Sequence, residues 1–157
     1  MLKRALLLIS FILVPLLIGG ISGYVTVSAI SSWYSTLVKP SFNPPNWIFG
    51  PVWTSLYILM GYSSYRIYQS PKSDIRNQAL TIYGVQLIFN FFWSILFFKF
   101  HLLGVALIEI SILLVSLIMM FIRFKQIDRT AAFLNIPYLI WVSFATILNA
   151  SIWYLNA

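Results

Sequence analysis

Twelve of the chain's thirteen formal charges are confined to narrow boundaries, and this confinement constrains the fold more than any other feature. The boundaries hold Lys3 and Arg4, Lys39, Arg66, the Lys72-Asp74-Arg76 turn, Lys99, and the group Arg123, Lys125, Asp128 and Arg129; Glu109 is the exception. Between them run stretches 5 to 30, 46 to 65, 77 to 98, 102 to 122 and 130 to 155, each near the ~20 residues that a helix needs to cross a bilayer. Only 8% of residues are charged and 61% are hydrophobic, far from the roughly 25% charge of a soluble domain. The expected fold is all-α, a five-transmembrane-helix bundle in which residues 1–157 form a single domain.

Net charge is +7, which in a soluble protein would suggest a nucleic-acid partner. Here the cations flank apolar spans, so no nucleic-acid partner is expected and the charge speaks to orientation. Eight Lys and Arg lie on the side of the N-terminus and the second and fourth connections, against Lys39 and Lys99 opposite. The excess predicts an integral protein of a bacterial-type plasma membrane with its N-terminus inside and its C-terminus outside. The first stretch begins like a signal peptide, and Val27-Ser28-Ala29 loosely resembles a cleavage site. The apolar run exceeds the roughly 7–15 residues of a signal core, so it is read as the first helix. In it Gly19 and Gly23 form a small-xxx-small pair suited to close backbone approach, and Pro15 is expected to kink it.

Trp33 to Tyr57 reads WYSTLVKPSFNPPNWIFGPVWTSLY. Pro40, Pro44, Pro45 and Pro51 fix φ and remove backbone donors, so most of the segment before Trp47 is expected to be a shaped loop, about 31–46. Lipid cannot satisfy the backbone of such a loop, which therefore belongs at an interface, covering something. The second helix then places Trp53, Tyr57, Met60 or Gly61, and Ser64 on one face, with Arg66 expected to end it. Tyr83, Gln86, Asn90, Trp93, Ser94 and Phe97 share a face of the third helix. Tyr138, Trp141, Ala145 and Asn149 share one on the fifth, where Pro137 is a candidate bend.

Polar groups at membrane depth usually face the bundle interior, which singles out Gln86, Asn90, Glu109 and Asn149. Two readings stand side by side. Asn90 and Asn149 can glue helices together through each other or through neighbouring backbone, or they can line an aromatic cavity for a flat, largely apolar ligand. Trp33, Tyr34, Trp47, Trp153 and Tyr154, near span ends, fit interface anchors. Trp53, Trp93 and Trp141 are each paired at helical spacing with a polar or small residue, which an anchor does not need. Glu109 is expected to be a neutral acid donating one hydrogen bond. His101 stands at a span boundary with no second metal ligand, so no metal site is expected. The chain carries no cysteine and no glycine-rich phosphate loop, HExxH or GxSxG motif.

Three segments, WYSTLVKPSFNPPNWIFGPVWTSLYILMG, QLIFNFFWSILFF and IPYLIWVSFATILNASIW, resemble the TspO/MBR family of tryptophan-rich sensory and translocator proteins, in matching order from about Trp33 to Trp153. The resemblance implies five helices per protomer, frequent homodimers, and a pocket for porphyrins, sterols and benzodiazepine-site ligands closed by the first loop. On the family's motifs, Tyr34, Trp53, Asn90, Trp93, Trp141, Ala145 and Asn149 fall at ligand-binding positions; Tyr57 and Ser94 join them from the helical faces above. Ala150 and Tyr154 stand where animal members carry the tyrosine and arginine of a sterol pattern, which favours a tetrapyrrole over a sterol. The expected function is a membrane receptor, sensor or carrier of protoporphyrin-like ligands, with porphyrin or haem as ligand and no required cofactor. A light-dependent porphyrin-degrading activity, with Trp53, Trp93 and Trp141 as oxidisable rings in place of ordinary catalytic residues, and a porphyrin or sterol transporter are the alternatives.

Overall fold

A computed structural model describes residues 2–157. Among them every regular element is helical: α1 (Leu2–Ser31), α2 (Trp33–Thr36), α3 (Asn46–Gln69), α4 (Asp74–Ser94) continued by a π-helical turn (Ile95–Lys99), α5 (Leu103–Ile127), α6 (Arg129–Phe133) and α7 (Ile136–Asn156). Four spans are long and apolar enough to cross a membrane: Leu2–Ser31, Asp74–Lys99, Leu103–Ile127 and Arg129–Asn156. The 24-residue α3 has the length, but its Asn, Ser, Tyr and Gly content makes it less apolar.

The long helices close a ring in which α1 packs on α4, α4 on α5, α5 on α7, α7 lightly on α3, and α3 on α1. Interior positions follow the 3.6-residue period, as in Ala106, Ile110, Leu113, Leu117, Met120 and Phe124 of α5. The outward faces of α1 and α5 carry exposed Leu, Ile and Val, as expected where the surroundings are hydrocarbon.

Several boundaries differ from the sequence expectation. Arg66 does not end its helix, which runs on to Gln69. Arg66 instead pairs with Asp128, Nε donating at 2.8 Å, and ties α3 to the α5–α6 junction. The last stretch is two helices. Asp128 caps α6 by accepting from Ala131 N–H at 3.1 Å, and Pro137 falls in the first turn of α7, where a missing donor costs nothing, so it bends no helix. The break is held by buried Asn135, whose Nδ2 donates to Ser63 Oγ at 2.6 Å and to Ala131 O at 2.9 Å. Pro15 and Pro51 both lie inside continuous helices.

The close approach of α1 and α3 is not made by the Gly19/Gly23 pair. It falls at Gly61, where an added Cβ would stand 2.5 Å from Phe11 O and 2.7 Å from Ile12 Cα. Gly19 abuts the Tyr57 ring, while nothing lies within 4 Å of the Cβ position of Gly23. The two helices therefore touch at Gly61, are spaced by one ring at Gly19, and stand apart at Gly23. They form a V that opens toward the loop.

Candidate functional site

The open end of that V is a cavity of about 540 Å³, within the size range of small-molecule sites. Leu16, Gly19, Gly23 and Thr26 of α1 form one wall, Phe49, Trp53 and Tyr57 of α3 a second, and Trp93, Ser94 and Phe98 the third, with Tyr34 above. Gly20, Gly23, Val27, Gly50 and Thr54 line it and are also exposed, so its mouth faces sideways, between α1 and α3. Ser22 and Thr26 do not offer their hydroxyl protons to the cavity. They donate to Gly19 O at 3.1 Å and Ser22 O at 2.8 Å within their own helix.

Behind this cavity lies a second, much smaller pocket of about 20 Å³, lined by Trp141, Ala145, Leu148 and Asn149 of α7. That is room for about one water. Tyr34, Phe49, Trp53, Trp93 and Phe98 line both spaces and form the partition between them. The three interior tryptophans thus meet at the inner pocket, and only two of them, Trp53 and Trp93, reach the large cavity. Trp53 is stacked on Tyr57 with centroids 5.6 Å apart and meets Tyr138 edge-on at 6.1 Å.

The wider π-helical turn after Ser94 brings neighbours Phe97 and Phe98 to one cluster, 6.1 and 5.5 Å from the Tyr34 ring. Both also pack on Trp93, at 5.5 and 6.1 Å.

The amides do not line the large cavity. Asn90, 3% exposed, borders neither space and stands behind the wall in a directed chain. Tyr57 Oη donates to Asn90 Oδ1 at 2.7 Å, Asn90 Nδ2 donates to Tyr138 Oη at 2.8 Å, and Tyr138 Oη donates to Gln86 Oε1 at 2.9 Å. Asn90 and Asn149 do not bond to each other, because each is used elsewhere. Asn149 Oδ1 accepts from Trp93 Nε1 at 3.1 Å and its Nδ2 donates to Leu103 O at 2.9 Å, fixing the Trp93 indole against α5. Helix glue and cavity architecture are therefore one system, with the amides orienting the rings that face the cavity. Trp141 Nε1 is buried with no partner among the described residues.

Glu109 departs from expectation. It is buried on α5 and neither carboxyl oxygen has a hydrogen-bond partner among the described residues. The polar groups that α4 and α7 bring inward, Gln86, Asn90 and Tyr138, are already bonded to one another. His101 adopts a left-handed φ of 58° and lies flat on Trp33, 4.0 Å between centroids at 15°. No group of three or more His, Cys, Asp or Glu suited to a metal exists among the described residues.

The loop is braced from within. Tyr34 Oη donates to Asn43 Oδ1 at 2.6 Å. Lys39 Nζ donates to Leu37 O at 3.0 Å and lies 4.9 Å from the Tyr34 ring centre. Burial pushes the Tyr34 phenol up to about 12, partly opposed by its bond to Asn43. Phe42 of the loop packs on Phe144 near the middle of α7, and Phe49 in the first turn of α3 packs on Trp141 beside the inner pocket. Tyr34, expected as either anchor or ligand contact, is buried; Trp47 and Tyr154 are exposed.

Sequence reasoning placed Phe97 on the right face and read Gly23 only as a packing residue; Phe49, Phe98 and the mouth at Gly20 and Gly23 were missed. The glycines carried a usable signal, since Leu16, Gly19, Gly20, Gly23, Thr26 and Val27 fall at helical spacing on one small-residue face.

Fold and site together define a multi-spanning helical membrane protein built around a lateral cavity with aromatic walls. Comparison with known proteins gives that class a family: residues 11–155 match the TspO/MBR family, and the chain belongs to it. It is 38% identical to the tryptophan-rich protein TspO of Archaeoglobus fulgidus over 96% of this chain and 97% of that one. The corresponding protein of Chlorobaculum tepidum is 37% identical over 87% and 88%. The human translocator protein is 36% identical over 77% and 73%.

Proposed function

We propose that the protein is a membrane receptor or carrier that takes up protoporphyrin-like tetrapyrroles into the α1–α3–α4 cavity. The observation that carries this is the composition of that cavity: about 540 Å³ walled by Tyr34, Phe49, Trp53, Tyr57, Trp93 and Phe98. Rings on three sides suit a flat apolar solute, whose burial supplies most of the affinity at about 25 cal/mol per Å². A macrocycle that displaced the ring partition would reach Trp141, Ala145 and the free indole N–H of Trp141 as well. The names of the relatives, a sensory protein and a translocator, support sensing or carriage.

In this reading α3 is the fifth span, with Asn46, Phe49, Trp53, Thr54 and Tyr57 turned to the cavity and Ser63 and Ser64 hydrogen-bonded inside the bundle. The N-terminus lies on the basic, inner side and the loop on the outer one. Protoporphyrin IX titrated into the detergent-solubilised protein is expected to quench tryptophan fluorescence at micromolar ligand, and Trp93→Phe to weaken the quenching. A folded protein with no response removes the proposal.

A further inference from the structure

At the opposite end of the bundle, far along α4 from the cavity, Arg76 is buried to 7% exposure on the same interior face as Ala79 and Tyr83. Its guanidinium carbon lies 5.0 Å from the centre of the Tyr68 ring, and its Nε is buried with no hydrogen-bond partner among the described residues. Tyr68 meets one π-face of the guanidinium but accepts none of its in-plane N–H donors.

No protein carboxylate answers this charge. The only ion pair among the described residues is Arg66–Asp128. Asp128 spends Oδ2 on Arg66 and Oδ1 on Ala131 N–H. Asp74, in the same first turn as Arg76, is exposed and forms no ion pair. Buried charges are normally paired, since desolvation is otherwise uncompensated, and an arginine cannot shed its proton to escape the cost.

The surroundings narrow what could complete the site. Exposed Lys72 stands in the same turn, and Lys3, Arg4, Lys125 and Arg129 are exposed on the end that also carries Arg76. Ser73 Oγ caps α4 by accepting from Arg76 N–H at 3.2 Å, leaving the N–H groups of Asp74 and Ile75 as free donors at the positive end of a 21-residue helix. The partner is thus an anion with several acceptor oxygens, and exposed Ile75 adjoins it with an apolar surface.

We propose that Arg76, with Lys72, holds the phosphate of an anionic phospholipid headgroup, the acyl chains continuing along the apolar exterior of the bundle. The planar fork of Arg76 matches phosphate oxygens, and a lipid supplies both the anion and a tail for the adjoining hydrocarbon face. The site is independent of the cavity and of what the cavity binds.

The test uses the full chain in neutral detergent, with phosphatidylglycerol, phosphatidylcholine or inorganic phosphate added, read by native mass spectrometry and thermal shift. Phosphatidylglycerol is expected to remain bound and to raise the melting temperature more than phosphatidylcholine does. Arg76→Met is expected to lower phosphatidylglycerol affinity about tenfold, the worth of one charge-assisted contact. Arg129→Met, at the exposed rim, is expected to leave it within about twofold. If Arg76→Met does not fold, Arg76→Lys keeps the charge without the fork and is expected to lose several-fold. Unchanged lipid preference in the Arg76 variants, or an equal loss in Arg129→Met, overturns the site. Millimolar inorganic phosphate that displaces the lipid overturns the headgroup assignment in favour of a free anion.

Discussion

The Asn156 carboxamide grips the Val38 peptide from both sides, Oδ1 accepting from Val38 N–H at 3.0 Å and Nδ2 donating to Val38 O at 2.9 Å. A residue in the last turn of α7 thereby fastens the middle of the loop that Tyr34, Lys39 and Asn43 brace from within. Asn156→Ala removes both bonds at a cost of about 0.5–1.5 kcal/mol each. The expected outcome is about tenfold faster porphyrin release in stopped-flow fluorescence, with faster amide exchange at Val38. Unchanged release would mean that the loop does not control the exit.

Gly61 is the vertex at which α1 and α3 meet, and its missing side chain is what allows contact with the Phe11–Ile12 backbone. Gly61→Ala pushes one helix off the other, a displacement of backbone against backbone that no rotamer change relieves. Destabilisation of about 1–3 kcal/mol is expected, seen as a lower thermal midpoint in detergent. Retention of the wild-type midpoint would show that the V is compliant at its base.

Tyr138 Oη both accepts from Asn90 and donates to Gln86, so Tyr138→Phe strands two buried amide groups. The expected loss is about 1–3 kcal/mol per unsatisfied group. A double-mutant cycle with Gln86→Leu checks the chain: strongly non-additive losses are expected, and simple additivity would argue that the four groups are not one network.

Much of this was legible in the sequence because the bilayer leaves few solutions. Charges at boundaries and apolar stretches between them place the helices, and helical spacing brings Trp53 to Tyr57 and Asn90 to Trp93. What was not legible depends on how helices sit against each other. Gly19 and Gly23 obey a packing motif, yet the backbone contact falls at Gly61, since a motif records small size and not what lies opposite. Asn90 shares a face with Trp93 but is held behind the cavity wall by Tyr57 and Tyr138, partners 33 and 48 residues away. The split of the interior into a large side cavity and a small inner pocket comes from the rotamers of five shared rings, which no spacing encodes.

Tyr34 makes the loop sensitive to alkali and not to neutral pH. Its phenol is raised from 10.0 to about 12, so the folded state holds the proton more tightly than the unfolded one. The associated stability is fully present below about pH 10 and is lost as pH rises toward about 12. Porphyrin release is expected to be flat from pH 6 to about 9.5 and to accelerate above about 10, with the acceleration absent in Tyr34→Phe. An acceleration that survives in Tyr34→Phe would assign the alkaline step to another group.

Gly23 supplies the complementary test to Gly61, because its Cβ position has nothing within 4 Å while the residue lines the mouth of the cavity. A Cβ placed there meets no neighbour. Relieving a helical glycine contributes about 0.5–1 kcal/mol, so Gly23→Leu is expected to fold with equal or higher stability. The added isobutyl group would occupy the gap between α1 and α3 through which a ligand dissolved in the bilayer would pass. Protoporphyrin association from liposomes should slow by about tenfold or more, the effect of at least 1.4 kcal/mol on the entry barrier, while Asn156→Ala leaves that gap unaltered. If Gly23→Leu loads at the wild-type rate and Asn156→Ala loads faster, entry is past the loop, and the lateral opening is packing space only.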